Sequence, residues 1–267
     1  MEINHIIGNI LAVFVGISLG LIGSGGSILS VPILVYIMNV EPSLATAYSL
    51  FVVGTTAFFG GIQKAKQKLV DFKKVILFGV PTIIAVFITR KFIVPSIPTI
   101  VFSTNLFTLH KSVLIMIVFA IVMIFASVRM IKPLKEKKED ENFKLNYFSI
   151  FSQGLIIGLI AGFVGAGGGF LIIPALLFLA KTPMKMAIGT SLFIVSAQSL
   201  IGFIGDIRSE QIIDWNLILV FTLCSIIGVF IGNYLSKLYS SDKLKTGFGW
   251  MVLAMGIFII LKEILKK

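Results

Sequence analysis

The chain has 267 residues, of which 57% are hydrophobic, 13% are charged and 24 are Phe, with a net charge of +11. Soluble domains carry about 45–50% apolar and about 25% charged residues, so too few charged groups are present here to cover a water-soluble globule. Disorder and a collagen-like fibre are excluded on the same grounds, and a disulfide framework by the single Cys224.

The positive charge sits mostly in short gaps between long apolar runs, which is how a polytopic membrane protein fixes its orientation; it is not the footprint of a nucleic-acid binder. In chain order, the start Met1-Glu2-Ile3-Asn4-His5 lacks a basic n-region, and the first apolar segment is expected to remain in the membrane. Residues 3–40 contain no Asp, Glu, Lys or Arg and would reach about 57 Å as one helix, against a hydrocarbon core of about 30 Å. The cluster Gly23-Ser24-Gly25-Gly26 lies near the middle, where clustered Gly breaks a helix. The run is therefore a hairpin over 7–39 with unwound backbone at its tip. Simple spans follow at 44–62 and 74–92. Residues 92–110 hold Pro95 and Pro98 with several hydroxyl residues and read as an external loop or surface segment. A span at 112–130 leads to a solvated charge run, the linker 132–146. The second overlong run, 145–180, breaks at Gly165-Ala166-Gly167-Gly168-Gly169 and gives a hairpin over 150–180. Spans at 186–204, 215–236 and 246–262 complete an all-α integral membrane fold of eight to ten membrane segments.

The two halves repeat. At an offset of 142, Gly20, Gly23, Gly25, Gly26, Leu29, Pro32 and Leu34 fall on Gly162, Gly165, Gly167, Gly168, Leu171, Pro174 and Leu176, and residues 20–62 carry 14 identities in 43 positions. With one more residue inserted, Asp71 meets Asp214 and the run 82–88 meets 225–231. The chain divides into a first repeat over 1–131, the linker over 132–146 and a second repeat over 147–267. A returning hairpin plus three crossings is an odd count, so the second repeat is expected upside down relative to the first. That topology puts 16 basic residues on the linker side and 7 on the other, which places the linker in the cytoplasm and both termini outside.

The glycine-broken hairpin with a following proline, duplicated in inverted orientation, resembles the sulfite exporter TauE/SafE family, also called the toluene sulfonate uptake permease group. The matching residues are Gly23-x-Gly25-Gly26-x5-Pro32 and Gly165-x-Gly167-Gly168-x5-Pro174, with the helix starts Ala45–Ser49 and Ala187–Ser191. The resemblance covers residues 8–262 and implies a carrier of sulfite, sulfonates, thiosulfate-like anions or small organic acids. Ser27 departs from the second repeat's Gly169.

Glycine breaks leave backbone N–H groups free at the start of a half-helix whose dipole adds partial positive charge, so an anion can bind there without a charged side chain. Two such ends meeting at the midplane is a recurring transporter arrangement. The candidate substrate-binding residues are accordingly Gly23, Ser24, Gly25, Gly26 and Ser27 with Gly165, Gly167, Gly168 and Gly169. Ser49 and Thr56, seven apart on one helix face, and their repeat mates Ser191 and Gln198 complete the set. Back-bonding of the hydroxyls to their own helix is the competing role. Arg90 at a span end reads as a snorkelling anchor rather than an anion gate, and Asp71 and Asp214 as helix caps. His5, His110 and Cys224 carry no chemistry of their own.

No His, Asp or Glu lies deep in an expected span, so neither an enzyme, a metal site nor a cofactor is expected. The reading is a multi-pass cell-membrane transporter of a small anion working by alternating access. Its partners are that anion and the lipid bilayer, with no nucleic acid, and a homo-oligomer is compatible with it. An anion channel and a non-transporting scaffold or receptor are the alternatives.

Overall fold

The computed structural model describes residues 2–103, 108–131, 147–165, 167–178, 182–207, 213–236, 238 and 241–265; the linker 132–146 lies outside them. Among these residues the helices are α1 (Glu2–Ile22), a 3-10 helix (Gly23–Leu29), α2 (Ser30–Tyr36), α3 (Pro42–Lys66) and α4 (Phe72–Ile88), which continues through a π turn (Thr89–Ile93) into α5 (Val94–Ser96). Then follow α6 (Lys111–Ile131), α7 (Tyr147–Val164), α8 (Gly169–Phe178), α9 (Met184–Asp206), α10 (Trp215–Leu235) and α11 (Ser241–Leu265). Among the described residues six helical stretches are long and apolar enough to cross a membrane: Ile3–Ile22, Pro42–Lys66, Phe72–Ser96, Lys111–Val128, Met184–Asp206 and Trp215–Leu235.

Local chemistry explains the boundaries. The side chain of Glu41 accepts from Leu44 N at 3.1 Å ahead of Pro42, which occupies the first turn of α3. Asp71 Oδ1 accepts from Lys74 N at 3.2 Å and Asp214 Oδ1 from Leu217 N at 3.0 Å, so both aspartates cap helices, as their sequence positions suggest. Each cap is held from the other half: Asp71 N–H donates to Thr190 Oγ1 at 3.0 Å and Asp214 N–H to Tyr48 Oη at 2.7 Å. The described residues of 92–110 hold more regular structure than a plain loop: after Ser96 two short antiparallel strands, β1 (Ile100–Ser103) and β2 (Thr108–His110), pair Phe102 with Leu109 and Ser103 with Thr108.

The first hairpin of the sequence reading returns toward its starting side, as Gly8 of α1 packing on Met38 demonstrates. At the centre lie α3 and α9, buried over most of their length and running antiparallel: Gly54 packs on Leu200, Gly61 on Phe193 and Gly202 on Leu50, while Phe51 and Phe203 stack at 5.1 Å. Their buried faces are rich in Gly, Ala, Ser and Thr, which let two backbones approach closely. The outer helices exchange between the halves. First-repeat α1 lies along second-repeat α10, with Gly16 against Ser225 and Gly20 against Gly232. Second-repeat α7 lies along first-repeat α4, with Gly158 against Thr82 and Gly162 against Thr89. These contacts correspond position for position under the sequence repeat. Large side chains such as Phe14, Ile84, Phe125, Leu223 and Ile227 point outward from this core, as a lipid-facing surface requires.

Candidate functional site

The two glycine breaks differ in conformation. In the first, Gly23 adopts φ +75°, and the chain then continues as a 3-10 helix that contains Ser24, Gly25, Gly26 and Ser27 and runs directly into α2. This corrects the expectation of unwound backbone there. The tighter helix is reinforced from the side chains, because Ser30 Oγ donates to Ser27 O at 2.8 Å and Ser27 itself is fully buried. The second break is unwound: Gly165, Gly167 and Gly168 have φ +72°, +66° and +59°, and α8 starts only at Gly169. Residues with a Cβ reach this left-handed region only at a cost of roughly 1–2 kcal/mol each, so three in four residues explain the run of glycine.

The breaks lie beside one another, since the 3-10 helix packs on α8. Each also faces the start of the other half's central helix. Gly23 contacts Ile188 near the start of α9, and Gly165 contacts Thr46 near the start of α3. A side chain at Gly167 would come within 2.7 Å of Ser199 Oγ and 3.1 Å of both Val53 and Val195.

Of the polar candidates, Thr56 and Gln198 are completely buried with unfilled hydrogen-bonding capacity: Thr56 Oγ1 and Gln198 Oε1 find no partner among the described residues. The Gln198 amide donates through Nε2 to the carbonyl of Gly167, which ties α9 to the second break. Ser199, fully buried and equally without a partner at Oγ, belongs with them although the sequence reading passed over it. The signal was its neighbour: Ser199 and Val195 are four apart and face the same glycine. Ser49 pairs instead with Ser30, hydroxyl to hydroxyl, joining α3 to α2. Ser191 donates to the Ile188 carbonyl at 2.9 Å, the local back-bond of a membrane-helix serine, so its proton is spent on its own helix. Buried hydroxyls that lack an acceptor next to a glycine-rich half-helix start can donate to an anion.

Arg90 does not snorkel. Its side chain is 1% exposed and turns inward from the π turn, so that Nη2 sits where a Gly165 side chain would be. Nη1 donates to Thr46 Oγ1 at 3.1 Å and pairs with Asp206 Oδ2 at 3.2 Å, while Nε and Nη2 have no hydrogen-bond partner among the described residues. Asp206, expected outside the 186–204 span, is the last residue of α9, with its side chain 13% exposed. Asp206 thus meets Arg90 just beyond the expected span, at the end of α9. Both residues escaped the sequence reading because their burial depends on contacts made across the two halves.

Comparison with known proteins agrees with this architecture. The family model for the sulfite exporter TauE/SafE matches residues 9–259, and the chain belongs to that family. A "Probable membrane transporter protein" of Xylella fastidiosa strain 9a5c is 27% identical over 252 residues, covering 92% of this chain and 91% of the relative. "Probable membrane transporter protein YunE" of Bacillus subtilis is 26% identical over 272 residues, with 94% and 93% coverage. "Probable membrane transporter protein MJ0441" of Methanocaldococcus jannaschii is 26% identical over 269 residues, with 94% and 95% coverage. No solved structure matches. The protein is thus a multi-pass membrane protein of a transporter family.

Proposed function

We propose that this member of the sulfite exporter TauE/SafE family is a secondary transporter that carries a small anion, held between the two glycine breaks, by alternating access. One observation carries the reading: the breaks lie side by side, and against the second stands the fully buried hydroxyl of Ser199, which, like that of Thr56 on α3, has no partner among the described residues. An idle buried hydroxyl costs about 1–3 kcal/mol, which a bound acceptor recovers. The start of α8 at Gly169 adds N–H groups and the positive end of a helix dipole. Electrostatics then favours an anion, sulfite, sulfonate, thiosulfate-like or a small organic acid, over a cation.

The same reading has the halves in opposite membrane orientations, termini outside and linker 132–146 inside. It is supported by the 16-to-7 basic split and by the antiparallel pairing of α3 with α9. Labelling of a cysteine introduced at Glu139 by an impermeant reagent from outside the cell would reverse that orientation. Transport is tested by flux of sulfite, thiosulfate, methanesulfonate and acetate into proteoliposomes. Saturable uptake that accelerates with anion inside the vesicle is the expected result. Unsaturable conductance would make the protein a channel, and absence of flux for all four would end the transport reading for these anions.

A further inference from the structure

Beside the second break the repeat changes charge: Arg90 of the π turn after α4 corresponds to Asn233 of α10, and Asp206 of α9 corresponds to Lys64 of α3. At the end of the molecule carrying Asn233, Asn233 Nδ2 donates to Gln63 Oε1 at 2.6 Å and Lys64 Nζ to Ser236 Oγ at 2.9 Å. At the other end stands a guanidinium against Gly165.

We propose that Arg90 forms an anion subsite at the Gly165 end of the second break, taking two oxygens of one carboxylate or sulfonate group on its Nε–Nη2 edge. This rests on the anion-transport reading and adds to it the residue that tells an oxyanion from a halide. Three features of the geometry support it. The side chain is 1% exposed, so bulk water does not satisfy its donors, and Nε and Nη2 are both without a partner among the described residues. Those two N–H groups lie on one edge of a planar fork whose spacing matches a pair of oxygens on one atom, while a halide fills only a single acceptor position. Finally, the guanidinium plane is already set, because Thr46 Oγ1 and Asp206 Oδ2 hold Nη1 from α3 and α9. Asp206 is in this scheme a positioning residue: it holds Arg90 and leaves the edge free. The π turn Thr89–Ile93 that presents Arg90 is a helix irregularity of the kind that recurs at functional sites. Gly165 completes the subsite, since any side chain there would occupy the space of Nη2 and of Thr46.

The test is titration calorimetry of the purified full chain in detergent with methanesulfonate, acetate and chloride. The parent binds both oxyanions more tightly than chloride. Arg90→Lys keeps the charge and removes the fork, so affinity for methanesulfonate and acetate falls about tenfold or more while chloride changes by less than about twofold. Should Arg90→Lys insert poorly, Arg90→Gln with Asp206→Asn removes both charges together and leaves neither buried ion unpaired, and loss of the oxyanion-over-chloride preference is again the expected result. Unchanged preference in these variants, with Thr56→Val still weakening every anion, overturns the subsite and leaves the transport reading intact. No binding of any of the three by the parent, with Thr56→Val indistinguishable from it, overturns both.

Discussion

The two glycine breaks occupy matching positions in the sequence yet differ in conformation and in what surrounds them. The first spends one left-handed glycine, Gly23, and then closes into a 3-10 helix stitched by Ser30 to Ser27. The second spends three, Gly165, Gly167 and Gly168, and carries a buried guanidinium, an amide and a hydroxyl from other helices. The neighbours explain the divergence. Gly23 meets the apolar Ile188, whereas its counterpart Gly165 meets Thr46, whose hydroxyl accepts from Arg90. A pseudo-symmetric scaffold can thus hold an asymmetric polar site: the frame is duplicated, and the chemistry is concentrated on one side of it. Ser27 in place of Gly169 belongs to the same divergence, since a serine is compatible with a helical turn.

That contrast can be broken by matched substitutions in the two breaks. The largest effect is expected at Gly165. Gly165→Ala forces an L-residue into φ +72° and drives its Cβ into both Thr46 and Arg90 Nη2, so transport is lost. Gly23→Ala carries the same left-handed strain at φ +75°, but its Cβ meets Ile188 at 3.0–3.2 Å instead of overlapping Thr46 and a guanidinium, so flux falls less than in Gly165→Ala. Equal loss of flux in the two variants, measured at equal membrane abundance, would show the breaks to be equivalent and the contrast mistaken. Next in size are the hydrogen bonds to the anion. Thr56→Val and Ser199→Ala each remove one donor, worth about 1.5–3 kcal/mol to a charged acceptor, and so raise the half-saturating anion concentration about tenfold or more. A dose–response of initial uptake rates reads this directly. Smaller again are the paired caps. Asp71→Ala and Asp214→Ala should each lower stability by about 1 kcal/mol, seen as similar drops in melting temperature of the detergent-solubilised protein, because both caps have the same geometry. Smallest is Ser191→Ala. Its hydroxyl serves its own helix, so uptake should match the parent, in contrast to the response at Ser199 one turn pair along the same helix.

Much of the frame is legible from the sequence because its causes are local. Run length against bilayer thickness forces the hairpins, glycine clusters locate their tips, and Asp71 and Asp214 announce the helices they cap. Thr56 and Gln198 stand out as polar residues in an apolar run, and both turn out buried with idle atoms. What is illegible depends on partners far along the chain. Arg90 beside Lys91 at a span end is indistinguishable in sequence from a snorkelling pair, and only Gly165, Thr46 and Asp206, all distant in sequence, turn it inward. Ser49 and Ser191 occupy the same repeat position, yet one pairs across to Ser30 and the other bonds its own helix, a choice made by whether a hydroxyl stands opposite. The conformation of the first break was hidden for a similar reason, since the Ser30 side chain that reinforces it lies beyond the glycine motif itself.

The central claim is that an anion lies between the breaks, and a heavy-atom analogue locates it most directly. Crystals of the full chain soaked in selenite, measured at the selenium edge, should give one anomalous peak within hydrogen-bonding distance of Thr56 Oγ1 or Ser199 Oγ and beside Gly167. A peak confined to the protein surface, or none at a concentration that saturates uptake, would contradict the account.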